Sequence, residues 1–97
     1  MKSYKRIEAL RAAVKILRFL AECKDAVSGQ EVARAVDVPH GTVMCHLSTL
    51  EDDGLVRSVG GAWELGMGIG LFWARYKSQA EGKIDRLNSE LKELGTY

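Results

Sequence analysis

Proline occurs once in this 97-residue chain, at Pro39, and cysteine twice, at Cys23 and Cys45. Two cysteines so placed build no disulfide framework and fit a reducing compartment, each as a small half-buried residue. No segment approaches the roughly 20 apolar residues that a membrane-spanning helix needs. The opening Met1-Lys2-Ser3-Tyr4-Lys5-Arg6 has no signal-peptide apolar core. A cytoplasmic location without membrane contact is therefore expected. Paired C-x-x-C or H-x-x-x-H spacings are missing as well, so neither a metal nor another cofactor is expected. Cys45 and His46 adjoin in sequence but stand about 100° apart on a helix, and no carboxylate is placed to orient the histidine as a catalytic base. An enzyme is not expected.

Lysine and arginine are absent from Val38 to Val56, "VPHGTVMCHLSTLEDDGLV". The net charge of +1 conceals a polarised chain. Residues 1–24 carry seven basic and two acidic side chains, residues 25–56 one basic and six acidic, and residues 57–97 six and five. The first block attracts phosphate, whereas the second repels it unless its acids face away.

Between about Lys5 and Cys23, apolar residues at Ile7, Leu10, Val14, Leu17, Leu20 and Ala21 follow the three-and-four spacing of an amphipathic helix. Lys5, Arg11, Lys15 and Arg18 lie mostly off that stripe and are read as a solvated face, while Lys2, Lys5 and Arg6 at the free end form an arm able to reach a polyanion. Ser28-Gly29-Gln30-Glu31 is a capping box, in which the serine hydroxyl accepts from the third backbone N–H and Glu31 reaches back to the cap. It predicts a short helix over 29–36 that buries Val32, Ala33 and Val36. Asp37-Val38-Pro39 ends it, because a residue before proline is pushed out of the α region and proline suits the first turn of the next helix. That third helix is expected over 40–52, with Gly54 as its stop.

A hairpin is expected over 55–65, turning at Gly60-Gly61. The pattern then becomes helical again from about Ile69 to Leu94, and the spaced glycines Gly66, Gly68 and Gly70 set its start as late as Leu71. The fold class is thus mainly α with a small β-hairpin: a winged helix-turn-helix over 1–68, followed by a long C-terminal helix over 69–97.

On the third helix Val43, Leu47 and Leu50 form the buried stripe. The opposite face, Gly41, Thr42, Cys45, Ser48 and Thr49, is small, neutral and able to hydrogen-bond, so it can approach the base edges of a DNA groove. It carries little affinity alone, since phosphate contacts supply most of that. The expected suppliers are Lys2, Lys5 and Arg6, Arg34 on the second helix, Arg57 on the wing, and backbone N–H groups at the starts of the second and third helices, near Ser28 and Gln30. His40 and His46 flank the reading face as further donors, and Glu51, Asp52 and Asp53 lie at its far end.

These residues resemble a known family. "AVKILRFLAE", "SGQEVARAVDVPHGTVMCHLSTLEDDGLV" and "WELGMGIGL" look like the N-terminal winged helix-turn-helix domain of IclR-type bacterial transcription regulators, over about residues 9–72. The resemblance implies double-stranded DNA as partner, Thr42 as a recognition-helix threonine, and Ser28 and Gln30 near the DNA backbone. Gly41 stands where the family usually has serine, and Cys45 where arginine is common. No counterpart of the family's effector-binding domain is recognised, so no small-molecule effector is expected.

In the last helix Trp73, Lys77, Ala80, Ile84, Leu87, Leu91 and Leu94 repeat at alternating four and three, the seam of a coiled coil. A homodimer through this seam is expected, presenting two recognition helices to a site with two symmetric halves. The alternative is a winged helix that docks a protein without touching DNA, which the acidic middle block and the uncharged face favour.

Overall fold

In the computed structural model, which describes residues 3–95, the capping sequence opens a helix where its chemistry dictates. Ser28 Oγ accepts from the Glu31 N–H at 3.1 Å and donates to the Glu31 carboxylate at 3.4 Å. The reciprocal bond therefore joins hydroxyl to carboxylate, and Glu31 does not reach the serine backbone. This helix, α2 (Gly29–Val36), follows α1 (Glu8–Glu22) and precedes α3 (His40–Asp52). Strands β1 (Val56–Val59) and β2 (Ala62–Leu65) and a long α4 (Met67–Leu94) complete the chain.

Proline does not itself terminate α2. Asp37 does so by adopting the left-handed conformation, φ 56° and ψ 50°, and both its N–H and that of Val38 close on the Ala33 carbonyl. Aspartate tolerates that region better than most residues, and Val38 beyond it folds back onto the core. Pro39 then opens α3, its carbonyl accepting from the Val43 N–H. Gly54, at φ +76°, supplies the turn after α3.

The core is Ile16, Leu20, Val32, Val36, Val43, Leu47, Val56 and Trp63, drawn from all three short helices and the hairpin. Register across the hairpin pairs Val56 with Leu65 and Val59 with Ala62. Gly60 and Gly61 both take positive φ between the strands, as a two-residue turn of this twist requires. Trp63 anchors the wing. It is buried, and its backbone exchanges two hydrogen bonds with Val27, at 2.9 and 2.7 Å, tying the α1–α2 connection to β2.

Two expectations change. Of the apolar stripe assigned to α1 only Leu20, buried, and Leu17, half-buried, face the core: Ile7, Leu10, Val14 and Ala21 are exposed, while Ile16, outside the stripe, is buried with Ala12, Ala13 and Phe19 partly so. The helix has two apolar faces, and the inward one, Ile16 and Leu20 with Ala12 and Ala13 beside them, packs against α2 and α3. Its first turn also comes later than expected, at Glu8, leaving Lys5 and Arg6 ahead of it.

The second change is the start of α4, which lies at Met67 and not at Ile69 or Leu71. Gly66 and Gly68 donate backbone N–H bonds to the carbonyls of Leu55 and Gly54, both at 2.9 Å. A Cβ on Gly68 would lie 2.8 Å from the Gly54 oxygen. These glycines permit a close backbone crossing and do not break the helix. Among the described residues no helix is long and apolar enough to cross a membrane.

Candidate nucleic-acid interface

Helix α3 points its buried stripe, Val43 and Leu47 with the half-buried Leu50, into the core. Gly41, Thr42, Cys45, Ser48 and Thr49 consequently face solvent, and nothing lies within 4 Å of where a Gly41 side chain would begin. Thr49 offers less than its neighbours, because its hydroxyl donates to the Cys45 carbonyl one turn earlier at 2.8 Å. The free hydroxyls on this face are those of Thr42 and Ser48 for which the structure gives no internal bond.

His40 stands exposed at the start of α3 and lies against Gly29, where a Cβ would sit 3.4 Å from its Nε2. The starts of α2 and α3 are thereby brought side by side, and the exposed Gln30 belongs to the same end. Ser28 is half-buried and its hydroxyl is committed to the cap. Arg34, exposed in the last turn of α2, shares a shallow groove with Asp37, Val38 and Pro39.

The structure assembles a cationic pair that sequence reasoning had assigned to a solvated face. Arg11 and Lys15 of α1 line one groove with Thr42 and His46 of α3, and Glu8 and Asp37 line it too. Cationic charge missing from α3 is thus present one helix away. The available signal was the spacing of four between Arg11 and Lys15, which sets both on one face of α1. Nothing in the sequence said that α3 would lie along that face.

Arg57, expected to contact phosphate, is engaged within the hairpin. Its guanidinium bonds the Glu64 carboxylate across the hairpin at 2.5 Å, at a register where the two residues oppose each other. Its charge is matched locally, although the pair is exposed enough to exchange partners at small cost. Glu51 is also occupied, its carboxylate accepting from the Ser58 N–H at 3.3 Å, and so fixes the far end of α3 to the wing. Lys5 and Arg6 precede α1 in an exposed segment, where Arg6 Nη1 donates to the Tyr4 carbonyl at 2.6 Å. Lys2 lies outside the described residues.

Cys45 is a free, exposed thiol in the middle of the α3 face, and Cys23 is half-buried. Burial, aided by the carboxylates of Glu31 and Glu22, pushes the Cys23 thiol up. Among the described residues no group of three His, Cys, Asp or Glu side chains could hold a metal ion.

No residue of α4 is fully buried. Trp73, Ile84, Leu87, Leu91 and Leu94 of the expected seam are all more than half exposed, and Ala80 is half-buried. Lys77 extends its ammonium over the Trp73 ring, 5.2 Å from the centroid, so the one charged seam position is partly screened by its neighbour one turn back.

The model of the IclR helix-turn-helix domain matches residues 9–60. Among solved structures, an IclR family transcriptional regulator from Brucella abortus is 27% identical with a TM-score of 0.65, covering 72% of this chain and 28% of that one. The repressor BlcR of Agobacterium tumefaciens is 30% identical with a TM-score of 0.61, covering 71% and 28%. A Zalpha domain from Cyprinid Herpesvirus3, solved for its binding mode to Z-DNA, is 25% identical with a TM-score of 0.54, covering 63% and 98%. The chain thus spans little more than a quarter of the two bacterial regulators. No curated protein sequence matches it.

Proposed function

Since the chain belongs to the IclR helix-turn-helix family, we propose that it binds double-stranded DNA as the reading head of a transcription regulator. The observation that carries this is the α3 face. Thr42, Cys45 and Ser48 are exposed and small, on a helix held by the core on one side and by the Glu51–Ser58 bond at its end. Residues of this size let the helix axis approach base edges, with hydroxyls bonding either base type and the methyl and thiol groups packing on thymine.

Phosphate contact falls to the surroundings of α3: Arg11 and Lys15 beside Thr42, the Lys5 and Arg6 segment, Arg34, and the N–H groups opening α2 and α3. Residues 1–68 form the reading head, and residues 69–97 supply dimerisation through α4. Two copies then present two recognition helices to a site with symmetric halves, and the linkage raises the affinity of each weak reader. The relatives support the first part of this reading through their names, and the exposed α4 seam supports the second.

Selection from a random pool of short duplexes at low and at physiological salt tests it. An enriched site with two symmetric halves is the expected result, and Thr42→Ala should alter the preferred sequence more than the overall affinity. Retention of no duplex even at low salt would overturn DNA binding. That outcome would leave the winged helix as a protein-docking module, the reading that the acidic middle block favours.

A further inference from the structure

Helix α1 carries an apolar face that its own chain does not cover. Ile7 is 64% exposed, Leu10 62% and Val14 39%, and together they line an open groove with Arg6, Arg11, Lys15 and Arg18. Their spacing of three and four is that of a two-helix seam; Leu17, next in the spacing, is half-buried against the chain's own core, so the uncovered part is the amino-terminal half of the helix. Helix α4 has a seam of the same kind, equally uncovered, while within one chain its packing is against the β1 end of the wing. Two uncovered seams in one small domain exceed what scattered surface apolar residues account for.

Charge disfavours two of the possible pairings. The charged residues lining the α1 groove, Arg6, Arg11, Lys15 and Arg18, are all cationic, so α1 against a second α1 places cation beside cation. The α4 seam is bordered by Glu81 and Glu90 as well as Lys83. Parallel, in-register α4 pairing stacks Lys77 on Lys77. We propose that the α1 groove is filled by α4 of a second copy, running antiparallel to it. Ile7 then faces Leu87, Leu10 faces Ile84, and Val14 faces Ala80. This register brings Arg18 to Glu81, and sets Arg11 opposite Asn88 and Ala13 opposite Lys83, juxtaposing no like charges along α1; Arg6 precedes the helix and takes no place in the register. A parallel arrangement that matches Ile7 with Ile84 sets Arg11 against Lys83 instead. Two-fold symmetry repeats the contact, each copy giving one α4 and receiving another.

This inference rests on the dimeric reading given above and names the surface on which α4 docks. Its test needs no DNA. In a Cys23→Ala, Cys45→Ser background, Ile7→Cys and Leu87→Cys are placed in separate full-length chains, one bearing a size tag. Mild oxidation of the mixture should give a tagged–untagged disulfide on a non-reducing gel, and neither chain alone should cross-link. Self-linking of Leu87→Cys chains, or a dimer in sedimentation that forms no mixed disulfide, would overturn this docking and leave the dimer standing. A monomer in sedimentation at all accessible concentrations would overturn both. A second measurement guards against geometric failure of the disulfide: Arg18→Glu should weaken dimerisation about tenfold, the pair occurring twice, and Glu81→Arg in the same chain should restore it. Failure of the double variant to recover affinity counts against the register.

Discussion

Gly68 lies within the first turn of α4, with its N–H on the Gly54 carbonyl and that oxygen 2.8 Å from where a side chain would start. At this separation a methyl group must displace backbone, which has little room to move. Gly68→Ala is therefore expected to destabilise the fold by about 1–3 kcal/mol, as overpacking does. Gly82, in the same helix, is the opposite case: nothing lies within 4 Å of its missing Cβ, and it sits on the side away from the seam. Gly82→Ala should stabilise by roughly 0.5–1 kcal/mol through helix propensity alone. Thermal unfolding of the two variants beside the parent measures both signs. Equal behaviour of the two would mean that the crossing of α4 over Gly54 is looser than its geometry says. Spacing alone cannot separate these residues, because a glycine kept for close approach and one merely tolerated in a helix read identically in sequence.

At the level of elements, the short helices and the wing were legible because each boundary has a local chemical cause. Ser28 opens α2, Pro39 opens α3, and Gly60-Gly61 turns the hairpin. The neutral face of α3 was legible for a similar reason, since Val43 and Leu47 fix which side of that helix is buried. The orientation of α1 was not, because periodicity selects the fuller apolar stripe and is blind to what that stripe meets. The structure turns Ile16 inward and Ile7 outward, and the two isoleucines should part company on substitution. Ile16→Ala is expected to cost about 2–5 kcal/mol in chemical denaturation, the usual cost of a core cavity. Ile7→Ala should change the unfolding of the isolated monomer by no more than about 0.5 kcal/mol, as exposed substitutions do. A large monomer penalty at Ile7 would return the outer stripe to the core. The juxtaposition of Arg11 and Lys15 with Thr42 was hidden by the same blindness, since it depends on the packing of α1 along α3 and not on either helix alone.

Across the whole molecule, the excess of basic residues lies at the amino-terminal end and the acids in the middle, yet folding sets α1 cations beside the neutral α3 face. If α3 reads DNA as proposed, an uncharged helix needs neighbouring phosphate contacts to hold it there, and Lys15 is the lysine that lines the groove beside Thr42. Each phosphate contact releases counterions, so its loss reduces the slope of log affinity against log salt by about 0.9. One copy on DNA should lose about 0.9 from that slope on Lys15→Gln, whereas a two-fold pair should lose about 1.8, since one substitution removes the contact twice. Filter binding over a salt series, with Lys92→Gln in the last turn of α4 as a control for net charge, reads the difference. A slope unchanged by Lys15→Gln but reduced by Lys5→Gln would shift the phosphate contacts to the segment ahead of α1, leaving the groove beside Thr42 without a part in binding. A reduction twice the single-contact value ties two scales together. The charge that holds the neutral helix on DNA then comes from α1, and the symmetry that doubles it comes from the seams of α1 and α4.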